Sequence, residues 1–167
     1  MAKYHHTESK LQIQCVTWFA YEFPYLRQLL YHPKNEGGHG RTQGAISKAE
    51  GVVAGVADLM LQLSDTLGHS CLAIEMKSPT GRQSKEQKLF QLYLQAAHGK
   101  YVVVRSFEDF KAVVLDYVAS ADPAVTQALK ALYKGQRQAE VDQARDKLRK
   151  LAATKGYQEG SIVNERK

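Results

Sequence analysis

The chain of 167 residues is predicted to be an α/β protein in which a mixed β-sheet is flanked by helices. Two apolar runs at 55–63 and 70–77, separated by a short polar turn, are typical of adjacent antiparallel strands. A β-branched run at 101–105 lies between two segments of helical periodicity, which indicates a right-handed crossover to a parallel strand. An amphipathic segment at 8–22 precedes both features and predicts a first helix.

The first helix is predicted over 8–22, with Thr7 as its N-cap. Residues spaced three and four apart form one face of it: Glu8, Leu11, Cys15, Trp18, Phe19 and Glu22. Glu8 therefore starts a stripe that enters the core. The presence of an acidic residue at position 8 is equally explained by the helix dipole, which favours carboxylates in a first turn.

A short apolar piece at 25–31 leads to a polar, glycine-rich loop at 37–44. The loop is either a flap whose Arg41 approaches phosphate or a solvated connector. Three polar residues near it could indicate a metal-binding ββα nuclease motif: His32, Asn35 and His39. Their compressed spacing and the absence of an enclosing strand pair in the sequence pattern disfavour that interpretation.

The two apolar runs bring charged residues together. Because side chains alternate along a strand, Glu75 and Lys77 share one face, and Asp58 at the head of the preceding strand can lie opposite them. A buried charge without a partner in such an apolar neighbourhood would destabilise the fold by on the order of several kcal/mol. A divalent metal between Asp58 and Glu75 would neutralise them, whereas a structural Glu75–Lys77 ion pair is the simpler alternative. Gly51 and Gly55 bracket the approach to Asp58 and indicate a tight turn or a close backbone contact.

A turn follows at 78–83, and the next helix is predicted to begin at Ser84. Ser84 and Gln87 have the spacing of a capping box, in which Gln87 would have a purely structural role. One side chain in a first turn could not easily cap the helix and also take part in a functional site. The buried stripe of this helix is predicted to contain Leu89, Phe90, Tyr93, Leu94 and Ala97. Gly99 ends the helix, and the strand at 101–105 is expected inside the sheet.

Two further helices are predicted, the first capped by Ser106 and the second opened by Asp122-Pro123 and running to about Lys155, with Gly135 as a possible break. The apolar residues of the last helix are sparse, so it must pack on the core or on another copy of itself. Between Lys130 and Lys155 there are eight basic and three acidic residues. This excess either binds DNA phosphates or is a solvated face.

Composition is that of an ordinary globular protein, with 44% hydrophobic and 24% charged residues. The formal charge of +6 favours an anionic partner, although charge alone is a weak indicator of nucleic acid. The sequence contains neither a run that could span a bilayer nor a signal peptide, so a cytoplasmic location without membrane contact is expected. Cys15 and Cys71 lie in apolar surroundings and are predicted to be buried thiols in a reducing compartment.

Asp58, Glu75-Met76-Lys77 and Gln87 resemble the motif of PD-(D/E)XK nucleases, in particular the VRR-NUC family of virus-type replication and repair nucleases. The resemblance covers roughly residues 8 to 118. It includes eight further positions: Glu8, Asn35, Gly51, Gly55, Gly81, Arg82, Ser84 and Gly99. The chain departs from the family at Ala57, where the family has proline before the aspartate; that residue shapes the turn and provides no ligand.

The resemblance implies a restriction-endonuclease-like core and a set of site residues. The implied catalytic residues are Glu8, Asp58, Glu75, Lys77 and Gln87. The implied ligands of Mg²⁺ or Mn²⁺ are Asp58, Glu75, the Met76 carbonyl and Glu8, the last directly or through water. The expected DNA contacts are Asn35, Arg41, Arg82 and Lys85.

The expected organisation is a nuclease domain at 1–120, a basic C-terminal helical extension at 121–157 and a flexible tail at 158–167. By resemblance, the protein is expected to be a structure-selective endonuclease on branched DNA such as Holliday junctions. A four-way junction needs two symmetric cuts, so a homodimer is expected, and the origin is expected to be a phage or a bacterium. The alternative is a DNA-binding module of a replication or recombination assembly that does not cleave. Restriction-type cleavage and mismatch nicking also stay open, because loops and dimer geometry decide the substrate.

Overall fold

The computed structural model describes residues 2–33, 46–47 and 49–154. Four strands form one sheet in the order β1-β2-β3-β4, namely Leu30–Tyr31, Leu59–Leu61, Leu72–Met76 and Lys100–Val104. The pairs β1–β2 and β2–β3 are antiparallel, whereas β3–β4 is parallel. The predicted mixed sheet is therefore confirmed.

Helices α1 (Ala2–Glu22), α2 (Lys85–Ala96) and α3 (Phe107–Ala119) flank this sheet, and a 3₁₀ helix covers Pro24–Leu29. A fourth helix, α4 (Pro123–Thr154), follows them in the chain. As predicted, α2 forms the crossover between the parallel strands β3 and β4. Trp18 of α1 contacts the rings of Phe107 and Phe110 edge-on, so α1 and α3 pack together through aromatic side chains.

The hairpin of β2 and β3 is present as predicted, with Leu59 opposite Ile74 and Leu61 opposite Leu72. All five residues of β3 are buried, so this strand is covered on both faces. The turn between the strands is organised by Asp65, whose Oδ1 accepts hydrogen bonds from the Leu67 and His69 amides at 3.0 and 2.8 Å. Its Oδ2 lies 2.7 Å from His69 Nδ1.

The core consists of apolar side chains from α1, the sheet and α3. Its largest fully buried members are Tyr117, Phe19, Phe110, Leu26, Leu30, Leu59, Leu61, Leu72, Ile74, Met76 and Val104. Cys15 and Cys71 are buried free thiols, as predicted. Burial raises the pKa of Cys15 to about 12, so its thiol stays protonated and behaves as a small apolar side chain.

Three local predictions are wrong. Thr7 is not an N-cap, because α1 already begins at Ala2. Gly135 does not break α4, because the helix runs through it without interruption and a glycine in an exposed helix costs only about 1 kcal/mol. The strand at 100–104 lies at the end of the described sheet, not inside it, because nothing in the described part of the chain pairs with its outer edge.

The predicted buried stripe of α2 is correct only in part. Phe90 and Leu94 pack against a core cluster that includes Ala57, Met60 and Tyr101. Leu89 and Tyr93 are 56% and 72% exposed, because they lie on the neighbouring face of the helix, which turns outward. The apolar pattern of α2 is wider than the surface that the helix buries.

The chain divides into two compact units at residues 126 and 127. The first holds the sheet and α1–α3. Asp122 caps α4 as predicted, with Oδ1 accepting from the Ala124 amide at 2.8 Å. In the second unit, three exposed arginines of α4 pair with acids three residues away: Arg137–Glu140, Arg145–Asp142 and Arg149–Asp146. The described helices include none that is long and apolar enough to cross a membrane.

Candidate active site

Asp58 and Glu75 meet where β2 begins and β3 ends. Asp58 Oδ2 accepts a hydrogen bond from the Met76 amide at 2.7 Å, which ties the head of one strand to the end of the other. Glu75 is fully buried. Lys77 Nζ lies 2.5 Å from Glu75 Oε1 and 3.3 Å from the Met76 carbonyl oxygen. The structure therefore brings Asp58, Glu75 and Lys77 together at one edge of the hairpin.

The Glu75 carboxylate accepts three side-chain hydrogen bonds. Lys77 and Gln87 both donate to Oε1, and the Tyr101 hydroxyl donates to Oε2 at 3.0 Å. Sequence reasoning missed Tyr101. The signal in the sequence is that Tyr101 carries a hydroxyl group next to a run of valines. The parallel register places Tyr101 opposite Ala73, which lies on the same face of β3 as Glu75.

Gln87 has two functions at once, contrary to the expectation that it must have one. Its Oε1 accepts from the Ser84 amide at 2.8 Å, and the Ser84 hydroxyl accepts from the Gln87 amide at 3.2 Å, which completes a capping box. Its Nε2 donates to Glu75. A side-chain amide carries its acceptor and its donors on different atoms, so the cap orients the NH₂ group toward the carboxylate.

Gly55 allows the start of α2 to approach the site. Its φ of +80° is in the left-handed region, and a Cβ there would lie 2.3 Å from the Glu86 carbonyl carbon and 2.5 Å from the Gln87 nitrogen. No other residue fits, because both contacts are with backbone atoms. Gly51 has a φ of +92° but faces open space, so it serves the turn alone.

Two further side chains fix the turn that follows β3. Glu8 Oε1 accepts from the Ser78 amide at 2.8 Å, which brings the start of α1 to the site. Arg105 Nη1 donates to the carbonyl oxygens of Ser78 at 2.6 Å, Gly81 at 2.9 Å and Pro79 at 3.4 Å. Sequence reasoning missed Arg105, because an arginine that follows a strand carries no local signal for such contacts.

His32 follows β1 and lies beside Asp58. Its Nδ1 is 2.5 Å from the Asp58 carbonyl oxygen. A carbonyl can only accept, so Nδ1 carries the proton and donates. Asn35 and His39, the other members of the disfavoured ββα motif, lie outside the described residues.

The two carboxyl groups are held in an environment that disfavours their charge. Burial raises the pKa of Asp58, with a smaller contribution from the charge of Glu8, against the opposing effects of the Met76 amide, Lys77 and His32. Burial also raises the pKa of Glu75, and the charge of Asp58 adds to that effect against the Lys77 and Tyr101 hydrogen bonds. A cation at this position would act in the opposite direction and favour both ionised forms.

The donors present fit a hard divalent cation. They are carboxylate oxygens of Asp58 and Glu75 and the Met76 carbonyl, and oxygen is the ligand type that Mg²⁺ and Mn²⁺ prefer. Within the described ranges, no three His, Cys, Asp or Glu side chains form a cluster that could hold a metal ion. Mg²⁺ commonly combines one or two carboxylates with several waters, and this donor set is of that kind.

Two of the four expected DNA contacts can be placed. Arg82 and Lys85 are exposed between the end of the turn and the first residue of α2, in the segment that also holds Gln87. Asn35 and Arg41 lie outside the described residues, so their role stays a prediction.

Comparison with known proteins agrees with this architecture. No protein-family model and no curated protein matches the chain. Among solved structures, the fold is similar to that of a chain described as "VRR_NUC domain protein", with a TM-score of 0.61 and 22% sequence identity. The match covers 70% of this chain and 91% of the other. The chain therefore has a VRR-NUC-like fold, as its sequence motif implied.

Proposed function

We propose that this VRR-NUC-like fold is a divalent-metal-dependent endonuclease that hydrolyses phosphodiester bonds in DNA. The observation that carries the proposal is the cluster of Asp58, Glu75 and Lys77, in which a fully buried carboxylate accepts three hydrogen bonds. A buried ion pair alone is a weak source of stability, because desolvation of the charges offsets their attraction. Perturbed carboxyl groups beside a lysine are instead typical of catalytic sites.

Mg²⁺ or Mn²⁺ would be held by Asp58, Glu75 and the Met76 carbonyl, with Glu8 contributing directly or through water. When bound, such an ion lowers the pKa of the attacking water and neutralises charge on the phosphate.

The chain's own side chains supply the remaining chemistry. Lys77 orients or deprotonates the attacking water, and its positive charge stabilises the transition state. Gln87 positions water or phosphate by hydrogen bonding and, with Tyr101, keeps the Glu75 carboxylate in one orientation. Arg82 and Lys85 bind phosphates of the DNA.

The proposed substrate is branched DNA, such as a four-way junction, and the proposed active species is a homodimer, because two symmetric cuts need two sites. The competing function is DNA binding without cleavage, as part of a replication or recombination assembly. It is favoured by the exposed basic side chains of α4, which could hold DNA with no contribution from the Glu75 cluster.

Cleavage of labelled four-way junction, flap, single-stranded and linear duplex DNA, in Mg²⁺ or Mn²⁺, tests both functions. We expect metal-dependent cleavage of branched DNA that falls at least about a hundredfold in Asp58→Ala and in Lys77→Ala, the loss typical of groups that stabilise a transition state. Lys111→Ala is the matched control, because Lys111 also pairs with a glutamate, Glu108 at 3.2 Å, but on the outer face of α3. Tight binding with no cleavage of any substrate would establish the binding module instead.

A further inference from the structure

A cleft of 390 Å³ lies against α1 next to the candidate active site. The described residues that line it are Ser9, Gln12, Ile13, Val16, Thr17 and His32. Two of them connect it to the site. His32 donates to the Asp58 carbonyl, and Ser9 follows Glu8, whose carboxylate accepts from the Ser78 amide. The candidate function uses none of the six lining side chains.

The described residues that line the cleft carry apolar, neutral polar or imidazole side chains, which suit a neutral group. Ile13 and Val16 provide apolar contact, whereas the Ser9 and Thr17 hydroxyls and the Gln12 amide provide neutral hydrogen-bonding groups. The part of a nucleic acid with this combination of a flat apolar face and polar edges is a base.

His32 adds a defined hydrogen-bonding direction. Its Nδ1 is engaged with the Asp58 carbonyl oxygen, which leaves Nε2 for a hydrogen bond to a ligand. The volume of the cleft is also within the range of pockets that bind small ligands.

We infer that this cleft binds an unpaired nucleobase of the DNA next to the bond to be cut. The inference rests on the proposed function, since it names the part of the substrate that the same site selects. A base stacked in duplex DNA cannot enter a cleft on a helix surface, whereas an unpaired base at a branch or flap can. The cleft thus supplies a physical reason for preferring branched DNA with unpaired bases, such as a flap, over linear duplex.

Equilibrium binding without divalent metal tests the inference separately from cleavage. The probe is a fluorescent flap DNA, compared with the same DNA carrying one abasic residue at each unpaired position near the branch. We expect the abasic residue at one position to weaken binding by the wild type about tenfold, because the apolar contacts of the base with Ile13 and Val16 are lost. Ile13→Ser should weaken binding of the intact flap about tenfold and show no further loss with the abasic flap.

Leu67→Ser is the matched control, because Leu67 and Ile13 are exposed to a similar degree, 71% and 66%, and Leu67 lies in the β2–β3 turn. It should bind both flaps like the wild type. Equal binding of the intact flap by Ile13→Ser and wild type would overturn the inference while leaving the nuclease proposal intact, and the cleft would then be free for a protein partner. A wild type that neither binds nor cleaves any DNA would overturn both.

Discussion

At the scale of single residues, the hydrogen bonds of Glu75 show how a charged side chain can be buried in this protein. Its side chain is fully buried, but an ammonium, an amide and a phenol all donate to it. Burial raises the pKa of the carboxyl group, and the hydrogen bonds from Lys77 and Tyr101 act against that effect by favouring the ionised form. Loss of any one donor should therefore be measurable.

The first prediction concerns the donor that sequence reasoning missed. Tyr101→Phe removes the hydroxyl that donates to Glu75 Oε2, and we expect the free energy of unfolding to fall by about 1–3 kcal/mol because a buried charged acceptor loses its partner. Denaturant unfolding at neutral pH measures it. Tyr93→Phe is the control, since Tyr93 is 72% exposed and its hydroxyl faces water. A Tyr101→Phe variant as stable as this control would contradict the assignment.

The residues of the site differ in how far the sequence could predict them. Asp58, Glu75 and Lys77 follow from side-chain alternation in one hairpin, which is local information. Tyr101 and Arg105 depend on the register of a parallel strand and on the path of a turn, which local patterns do not contain. The contacts of Tyr101 and Arg105 therefore become visible only in the three-dimensional structure.

At the scale of elements, the turn between β2 and β3 is stabilised by one carboxylate. Burial alone would raise the pKa of Asp65, but the hydrogen bonds from the His69 side chain and from the His69 and Leu67 amides outweigh it and lower the pKa. An acid whose pKa is lowered by folding stabilises the protein above its unfolded pKa of about 3.9. That contribution is lost as the pH falls through the lower folded value.

We therefore expect Asp65→Asn to reduce the free energy of unfolding at pH 7 by about 1–3 kcal/mol, with the difference from wild type shrinking as the pH falls below about 4. Denaturant unfolding as a function of pH measures this. Asp116→Asn is the control, because Asp116 is 77% exposed and its 3.4 Å pair with Lys100 is a surface ion pair. A pH-independent difference would show that charge is not the cause.

A third prediction concerns the contact between Gly55 and the first turn of α2. Gly55→Ala places a Cβ against backbone atoms and adds a strained φ, so we expect it to destabilise the fold by about 3 kcal/mol or more. It should also reduce cleavage, because the displaced turn carries Gln87. Gly51→Ala shares the positive φ but has open space around it, and should cost about 1 kcal/mol. Equal effects in thermal unfolding would rule out a packing role for Gly55.

The helix α2 shows the limit of periodicity as a guide to burial. Leu89 and Tyr93 form one i,i+4 row, and Phe90 and Leu94 form the adjacent one. Both rows satisfy the same helical pattern, but only the second faces the core. The element type could be predicted, whereas the face that it buries depends on the position of β4.

At the scale of the whole molecule, the mixed pairing of β2, β3 and β4 followed from the hairpin signal and the strand–helix–strand alternation. The two-residue strand β1 was not predicted, because its sequence shows only a short apolar piece. The position of the last strand was not predicted either, because an apolar run of five residues is compatible with either the middle or the edge of a sheet. The predicted division at 1–120, 121–157 and 158–167 stays a prediction, as does the role of the basic helix.

A fourth prediction addresses that helix. Lys134 and Lys147 are exposed on α4, and if they contact DNA phosphates, Lys134→Gln and Lys147→Gln together should weaken binding and lower the slope of log affinity against log salt by about 0.9 per lost contact. Filter binding between about 50 and 200 mM salt measures the slope. Gln143→Ala, an uncharged exposed position of the same helix, is the control. An unchanged slope would assign the basic residues to a solvated face.

Glu8 and Ser78, which are hydrogen-bonded, lie 70 positions apart in the sequence, and Glu75 and Tyr101 lie 26 positions apart. Contacts of such long range form late in folding, because the loops they close must be ordered first. During synthesis, no ribosome-bound chain shorter than about a hundred residues can contain all these partners. The proposed hydrolytic centre would therefore be incomplete on the nascent chain until β4 has joined the sheet.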